Sequence, residues 1–267
     1  MRANILMIKN NIESECIVMV NNKKNSKKIG IIVTIAIVLV LAIIGVVLYF
    51  VLRPKETMVG EVKKVEVREQ CPIDFSSYQA INPEVYAYIE VPGTDISYPI
   101  LQSGTDDLYY AYHTIEGNDG LPGAIYTEGM NSKDFHDANT IVYGHNMRNG
   151  SMFQQLHRFE DEEFFNSNDT FYIYTPEHKY TYKIFASCCT SDDHPLYKYD
   201  FTTGPGVLQY VAYLQSINDS YSHYRNDVSI NSDTKLCTLL TCMPSGMDDK
   251  RYVVVGCLTE IYDYAAK

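Results

Sequence analysis

The chain has 267 residues, a formal net charge of −11, no tryptophan and 23 tyrosines. That length suits one medium domain with attachments, and an apolar fraction of 46% is enough to build a real core. Residues 1–52 carry six basic and two acidic side chains, so the remaining 16 basic and 31 acidic ones give the rest of the chain a charge of −15. An acidic body with no basic, aromatic-interleaved patch repels phosphate backbones, which excludes nucleic acid as a partner.

In chain order, residues 1–28 read as a cytoplasmic head. Within it Met19 is an alternative start, and "NNKKNSKK" (Asn21–Lys28) places four lysines together. Residues 29–52 form an uncharged apolar run of 24 residues. At ~1.5 Å per residue it spans ~36 Å as a helix, enough to cross a ~30 Å hydrocarbon layer with some tilt. It is longer than a signal-peptide core and lacks a small-residue cleavage site. The preceding lysines predict a single-pass transmembrane helix with its N-terminus in the cytoplasm and the body outside the cell. Residues 53–73 are charged and read as a stalk or first helix, and residues 74–267 as the exterior domain.

Within that domain, Asp74 or Ser76 is a candidate cap for a short helix ended by Pro83. "VYAYIEV" (Val85–Val91) reads as a strand, and so does "ISYPILQ" (Ile96–Gln102), where Pro99 predicts an edge or a bulge. A helical turn within Thr105–Ile115 precedes strands at Gly123–Glu128 and Asn139–His145. "SMFQQLHRFEDEEFF" (Ser151–Phe165) has the spacing of one amphipathic helix. Thr170–Cys189 reads as a β-hairpin turning near Pro176–Lys179, and Gly204–Tyr221 as another helix. The apolar strands "KLCTLLTC" and "RYVVVGCL" close the domain. The expected class is mostly β, with about seven or eight short strands, inserted helices and barrel closure.

Seven cysteines, at 16, 71, 188, 189, 237, 242 and 257, show neither scaffold density nor zinc-ligand spacing. Cys237 and Cys257 are expected as packed thiols rather than a cross-strand pair. Cys242 differs: it ends a strand at the mouth of an eight-residue loop, "MPSGMDDK", beyond which Arg251 opens the next strand. A thiolate near a cation is a nucleophile for carbonyls. Arginine keeps its proton and suits oxyanion stabilisation. Lys250 and Arg148 are alternative cations. Among seven histidines, His145 in "NTIVYGHNMRNGSMF" ends an apolar strand before a polar loop, where an imidazole can face a cleft as acid and base.

"TLLTC" (Thr238–Cys242), the arginine of "KRYVVVG" and the segment "IVYGHNMRNGSMF" together resemble the sortases, specifically class B sortases, over roughly residues 70–262. The resemblance implies an eight-stranded β-barrel with an N-terminal helical extension and inserted helices, preceded by a single transmembrane helix. It implies a membrane-anchored cysteine transpeptidase with Cys242 as nucleophile, His145 as acid–base and Arg251 as oxyanion donor. Thr241, Tyr143, Asn146 and Ser245 are candidates for lining the substrate pocket. The implied partners are secreted proteins with a C-terminal NPxT-like sorting signal. The implied acceptor is an amine of peptidoglycan or a pilin lysine. No metal and no organic cofactor are expected. Leu240 departs from the small polar residue common at that place.

Two rival classes remain on sequence grounds. Of the penicillin-binding triad of motifs only an S-x-x-K match, "SDTK" (Ser232–Lys235), is present; G-x-S-x-G and an S-H-G-C-x-R cluster are absent. A non-catalytic, membrane-tethered binding module is the alternative of a different kind, in keeping with the abundant tyrosines.

Overall fold

The computed structural model describes residues 57–58, 62–66 and 69–265. The predicted transmembrane run at residues 29–52 and the cytoplasmic head lie outside the described residues. So does much of the stalk.

Eight strands close into a barrel among the described residues. They are β1 (Val85–Glu90), β2 (Ser97–Leu101), β3 (Ile125–Tyr126), β4 (Asn139–Tyr143), β5 (Thr170–Tyr174), β6 (His178–Ser191), β7 (Leu236–Cys242) and β8 (Lys250–Asp263). Around the ring the order is β8–β7–β4–β3–β2–β1–β5–β6, and the antiparallel β6–β8 pairing from Lys250↔Ser191 to Asp263↔His178 closes it. Short strands add to its rims: Lys63–Glu66 runs parallel to the end of β8, and His223–Tyr224 pairs with β6. Of the two readings for 53–73, a stalk or a first helix, Lys63–Glu66 is extended rather than helical.

The sequence dictates which face each residue takes. In β8, Tyr252, Val254 and Leu258 alternate with Val253, Val255 and Cys257, and both sets are buried. The first set joins Ile89, Val142, Phe171, Ile184 and Leu239 inside the barrel. The second set faces outward and is covered by α5 (Gly204–Ser216) through Val207, Tyr210, Val211 and Leu214. Fully burying such a side chain is worth roughly 1.5–3 kcal/mol, so a strand with two covered faces reads as a continuous apolar run. A third apolar layer lies outside β1–β4, where Phe75 of α1 (Phe75–Ile81) and Tyr110 of α2 (Tyr109–Tyr112) pack on Val85, Leu101, Ile141 and Tyr143. Asp74 caps α1 by accepting from Ser77 N at 3.3 Å, as the sequence suggests.

One expectation holds and one changes. Pro99 lies opposite Tyr88 in the β1–β2 ladder, while β2 meets β3 only at Ile100 and Leu101, so Pro99 sits on a locally open edge as expected; the register irregularity falls between Val85 and Ala87 of β1. The helix expected over Ser151–Phe165 is two elements: a 3₁₀ helix (Gln154–Glu160) and α3 (Glu162–Ser167). Asp161 separates them. Its backbone is extended, and its carboxylate accepts from Phe164 N at 2.7 Å, which starts a new helix.

Candidate active site

Strand register assembles the site. β7 and β8 are antiparallel with Cys242 directly opposite Arg251. β7 and β4 are parallel with Leu240 beside Tyr143; two residues further along lie Cys242 and His145. Side chains on a strand alternate between faces. Leu240 and Tyr143 both belong to the outer apolar layer, so the same alternation carries Cys242 to the barrel's outer face. Cys242, His145 and Arg251 all line one cleft of about 280 Å³, together with Ala111, Glu128, Tyr143, His194 and Thr241.

Gly144 makes the approach of β4 to its neighbours possible. A Cβ there would sit 2.5 Å from Ile125 Cδ1 and 2.6 Å from Phe153 Cγ. Its N–H donates to the Leu240 carbonyl at 3.1 Å, extending the β4–β7 ladder to the residue before His145. Beyond it the loop 146–152 folds back tightly, with Asn146 bridging Met152 and Phe153 N donating to the His145 carbonyl at 2.9 Å.

Each member of the trio has a defined environment. His145 Nε2 donates to the Ala111 carbonyl of α2 at 2.7 Å. That leaves Nδ1 as the nitrogen without a proton in the neutral ring. Arg251 Nη1 donates to the carbonyls of Asp248 and Lys250 at 2.9 and 2.8 Å. Its Nε and Nη2 remain as donors on a guanidinium held at the rim of the cleft. Cys242 is exposed, whereas Cys188, Cys189, Cys237 and Cys257 are buried. Burial pushes the Cys188 thiol up to about 12 and those of Cys237 and Cys257 higher still. The last two are packed thiols in the reduced state.

The four pocket candidates divide. Thr241 and Tyr143 line the cleft of Cys242, His145 and Arg251. Thr241 is 1% exposed and its hydroxyl has no hydrogen-bond partner among the described residues. Asn146 and Ser245 line a second cleft of about 550 Å³ on the other side of Cys242. Asn146 Nδ2 donates to the Cys242 carbonyl at 3.0 Å.

Sequence reasoning missed four residues. His157 Nδ1 donates to Glu160 Oε1 at 2.5 Å, and its Nε2 lies 3.1 Å from Asn146 Nδ2 and 3.0 Å from the same Cys242 carbonyl oxygen. His157 and Glu160 are three apart on a helical segment, a spacing that could have paired them. Glu128 and His194, which meet at 2.9 Å in the first cleft, are 66 residues apart and carry no local signal.

The sequence matches the family model of the Sortase domain over residues 89–259. It is 33% identical to sortase B of Listeria monocytogenes over 177 residues, covering 66% of this chain and 68% of that protein. Among solved structures, sortase B of Clostridium perfringens superposes with a TM-score of 0.61 at 28% identity, over 69% of this chain and 99% of that one. A Streptococcus pyogenes class B sortase involved in pilus biogenesis superposes with a TM-score of 0.58 at 27% identity, over 70% and 98% of the two chains. The chain belongs to the sortase family, within class B. Membership supports a transpeptidase reaction of the cysteine type in general terms.

Proposed function

We propose that this chain is a membrane-anchored transpeptidase that cuts a C-terminal NPxT-like sorting signal of secreted proteins and joins the new carboxyl end to an amine of peptidoglycan. Cys242 as thiolate attacks the threonine carbonyl carbon. The carbonyl electron pair moves to oxygen, where Arg251 donates hydrogen bonds. As the C–N bond breaks, His145 Nδ1 gives its proton to the departing amine, leaving an acyl thioester. An incoming amine then attacks the thioester, passes a proton to His145 and releases Cys242 as thiolate. Thr241 and Tyr143 line the wall against which the signal lies. Asn146 holds the Cys242 backbone through its carbonyl, and Ser245 borders the side from which the second substrate approaches. Residues 29–52 anchor the enzyme, with the catalytic body outside the cell.

The observation that carries this reading is the placement of Cys242, His145 and Arg251 on one face at one cleft through the β4–β7 and β7–β8 registers. Pilin polymerisation is the second reading, favoured by the likeness to the S. pyogenes enzyme; it uses the same chemistry with a lysine side chain as acceptor. Incubation with NPxT-like peptides and either a peptidoglycan-stem amine or a lysine peptide, read by product mass, tests both. Peptide joined to the stem amine is the expected product. Joining only to lysine selects the second reading, and no cleavage of any signal peptide rejects the function.

A further inference from the structure

His194 is carried on the segment that follows β6, just before α4 (Pro195–Lys198). Its Nε2 lies 2.7 Å from Tyr143 Oη and 2.9 Å from Glu128 Oε1. Glu128 is 4% exposed, an unusual place for a carboxylate unless it is paired. Its neighbour here is an imidazole, with its own Oε2 left unpartnered among the described residues. All three side chains line the cleft that holds Cys242. The rim beside them is apolar and exposed: Leu108, Tyr112 and Tyr197 are 51, 62 and 68% exposed. Tyr197 reaches that position because its ring sits on His194, with centroids 4.5 Å apart.

The segment has few other ties to the barrel near the cleft. Asp192 N donates to the Asp249 carbonyl, and Leu196 packs against the outer apolar layer. Asp193 accepts from Lys198 at 2.6 Å and from Ser191 Oγ at the end of β6 at 2.9 Å, and Lys198 Nζ lies 4.9 Å from the ring centroid of Tyr213 on α5. The polar tie from this wall across the cleft to β4 is His194 with Glu128 and Tyr143.

We infer that Glu128 and His194 are a positioning pair that clamps the segment 192–198 over the catalytic cleft and so sets how tightly the cleft grips its peptide. The pair takes no part in the thiol chemistry. It acts by holding the wall and its aromatic rim at a fixed height above Tyr143. The consequence for peptide binding rests on the function proposed above; the clamp itself does not.

Four variants test it: His194→Ala, Glu128→Ala, and the conservative His194→Gln and Glu128→Gln. A glutamine amide nitrogen replaces Nε2 of the imidazole, and a glutamine oxygen still accepts from it. Amide hydrogen exchange in 192–198, measured without substrate, is expected to rise at least tenfold in the alanine variants and to return within threefold of wild type in the glutamine variants. For an NPxT-like peptide, KM should rise at least fivefold in the alanine variants while kcat changes less than threefold. The double alanine variant should be no worse than the poorer single one. Should Glu128→Ala not fold, His194→Ala carries the test, because His194 sits on the surface segment. Wild-type exchange in His194→Ala overturns the clamp, and raised exchange with unchanged KM overturns its link to peptide binding. Failure of the wild type to acylate Cys242 rejects the proposed function, and exchange alone then decides the clamp.

Discussion

Cys242 and Cys237 lie five residues apart on one strand and have opposite fates. Cys237 points into the barrel and is 0% exposed, and its thiol is pushed far up by burial. Cys242 lies at the strand end between two clefts. Replacing Cys242 by alanine is expected to abolish peptide cleavage and transfer. Cys237→Ala should keep both and lower stability by about 1 kcal/mol, read from cleavage rates and urea midpoints. At Arg251 the demand is geometric. Nη1 is already spent on the carbonyls of Asp248 and Lys250, so the proposed oxyanion role falls to the other donors of the same rigid fork. A lysine has no such fork, and loss of an oxyanion donor typically costs ~10²–10³ in kcat. Arg251→Lys should therefore lose roughly that much kcat, and near-wild-type turnover would remove Arg251 from the role.

At the scale of elements, the trio owes its assembly to two registers, the local antiparallel β7–β8 pairing and the parallel β4–β7 pairing of strands far apart in sequence. Gly144 is the tightest point in that arrangement, since a methyl group would strike Ile125 and Phe153. Overpacking of this kind typically costs ~1–3 kcal/mol. Gly144→Ala is expected to lower the melting temperature and to slow cleavage by displacing His145; unchanged values of both would show that β4 has slack. Much of this level was legible in the sequence. The continuous apolar run in "RYVVVGCL", the hairpin near Pro176 and the helix from Gly204 all follow from the placing of apolar residues, and the short loop after Cys242 forecast its meeting with Arg251. The break at Asp161 was not legible, because the apolar spacing runs on through it and only the side-chain cap ends one helix and begins the next. Pro99 was legible as an edge position, because β2 has a partner there on one side alone and meets β3 only at Ile100 and Leu101. Glu128 and His194 were invisible because nothing local joins residues on different elements 66 positions apart.

For the whole molecule, the core is built with unusually many titratable side chains. Tyr182, Tyr210 and Tyr252 are buried with their phenols pushed well up, and Cys188 is held up at about 12. Each group keeps its proton in the fold at a pH where the unfolded chain releases it. Their stabilisation is complete below the unfolded values of ~8.5 for thiols and ~10 for phenols, and is lost as pH rises through the folded ones. The urea midpoint of the exterior domain should fall steadily between pH 8 and pH 10.5, and a flat midpoint over that window would contradict the burial argument. The same burial leaves Cys242 as the exposed thiol among the strand cysteines, so the proposed chemistry turns on where an acyl group lands. The direct measurement is an acid-quenched reaction with an NPxT-like peptide, digested and mapped by mass spectrometry. A threonyl thioester is expected on Cys242, one that hydroxylamine releases as the peptide hydroxamate and that the His145→Ala variant fails to accumulate. An adduct on another residue, or cleavage that survives Cys242→Ala, would contradict it.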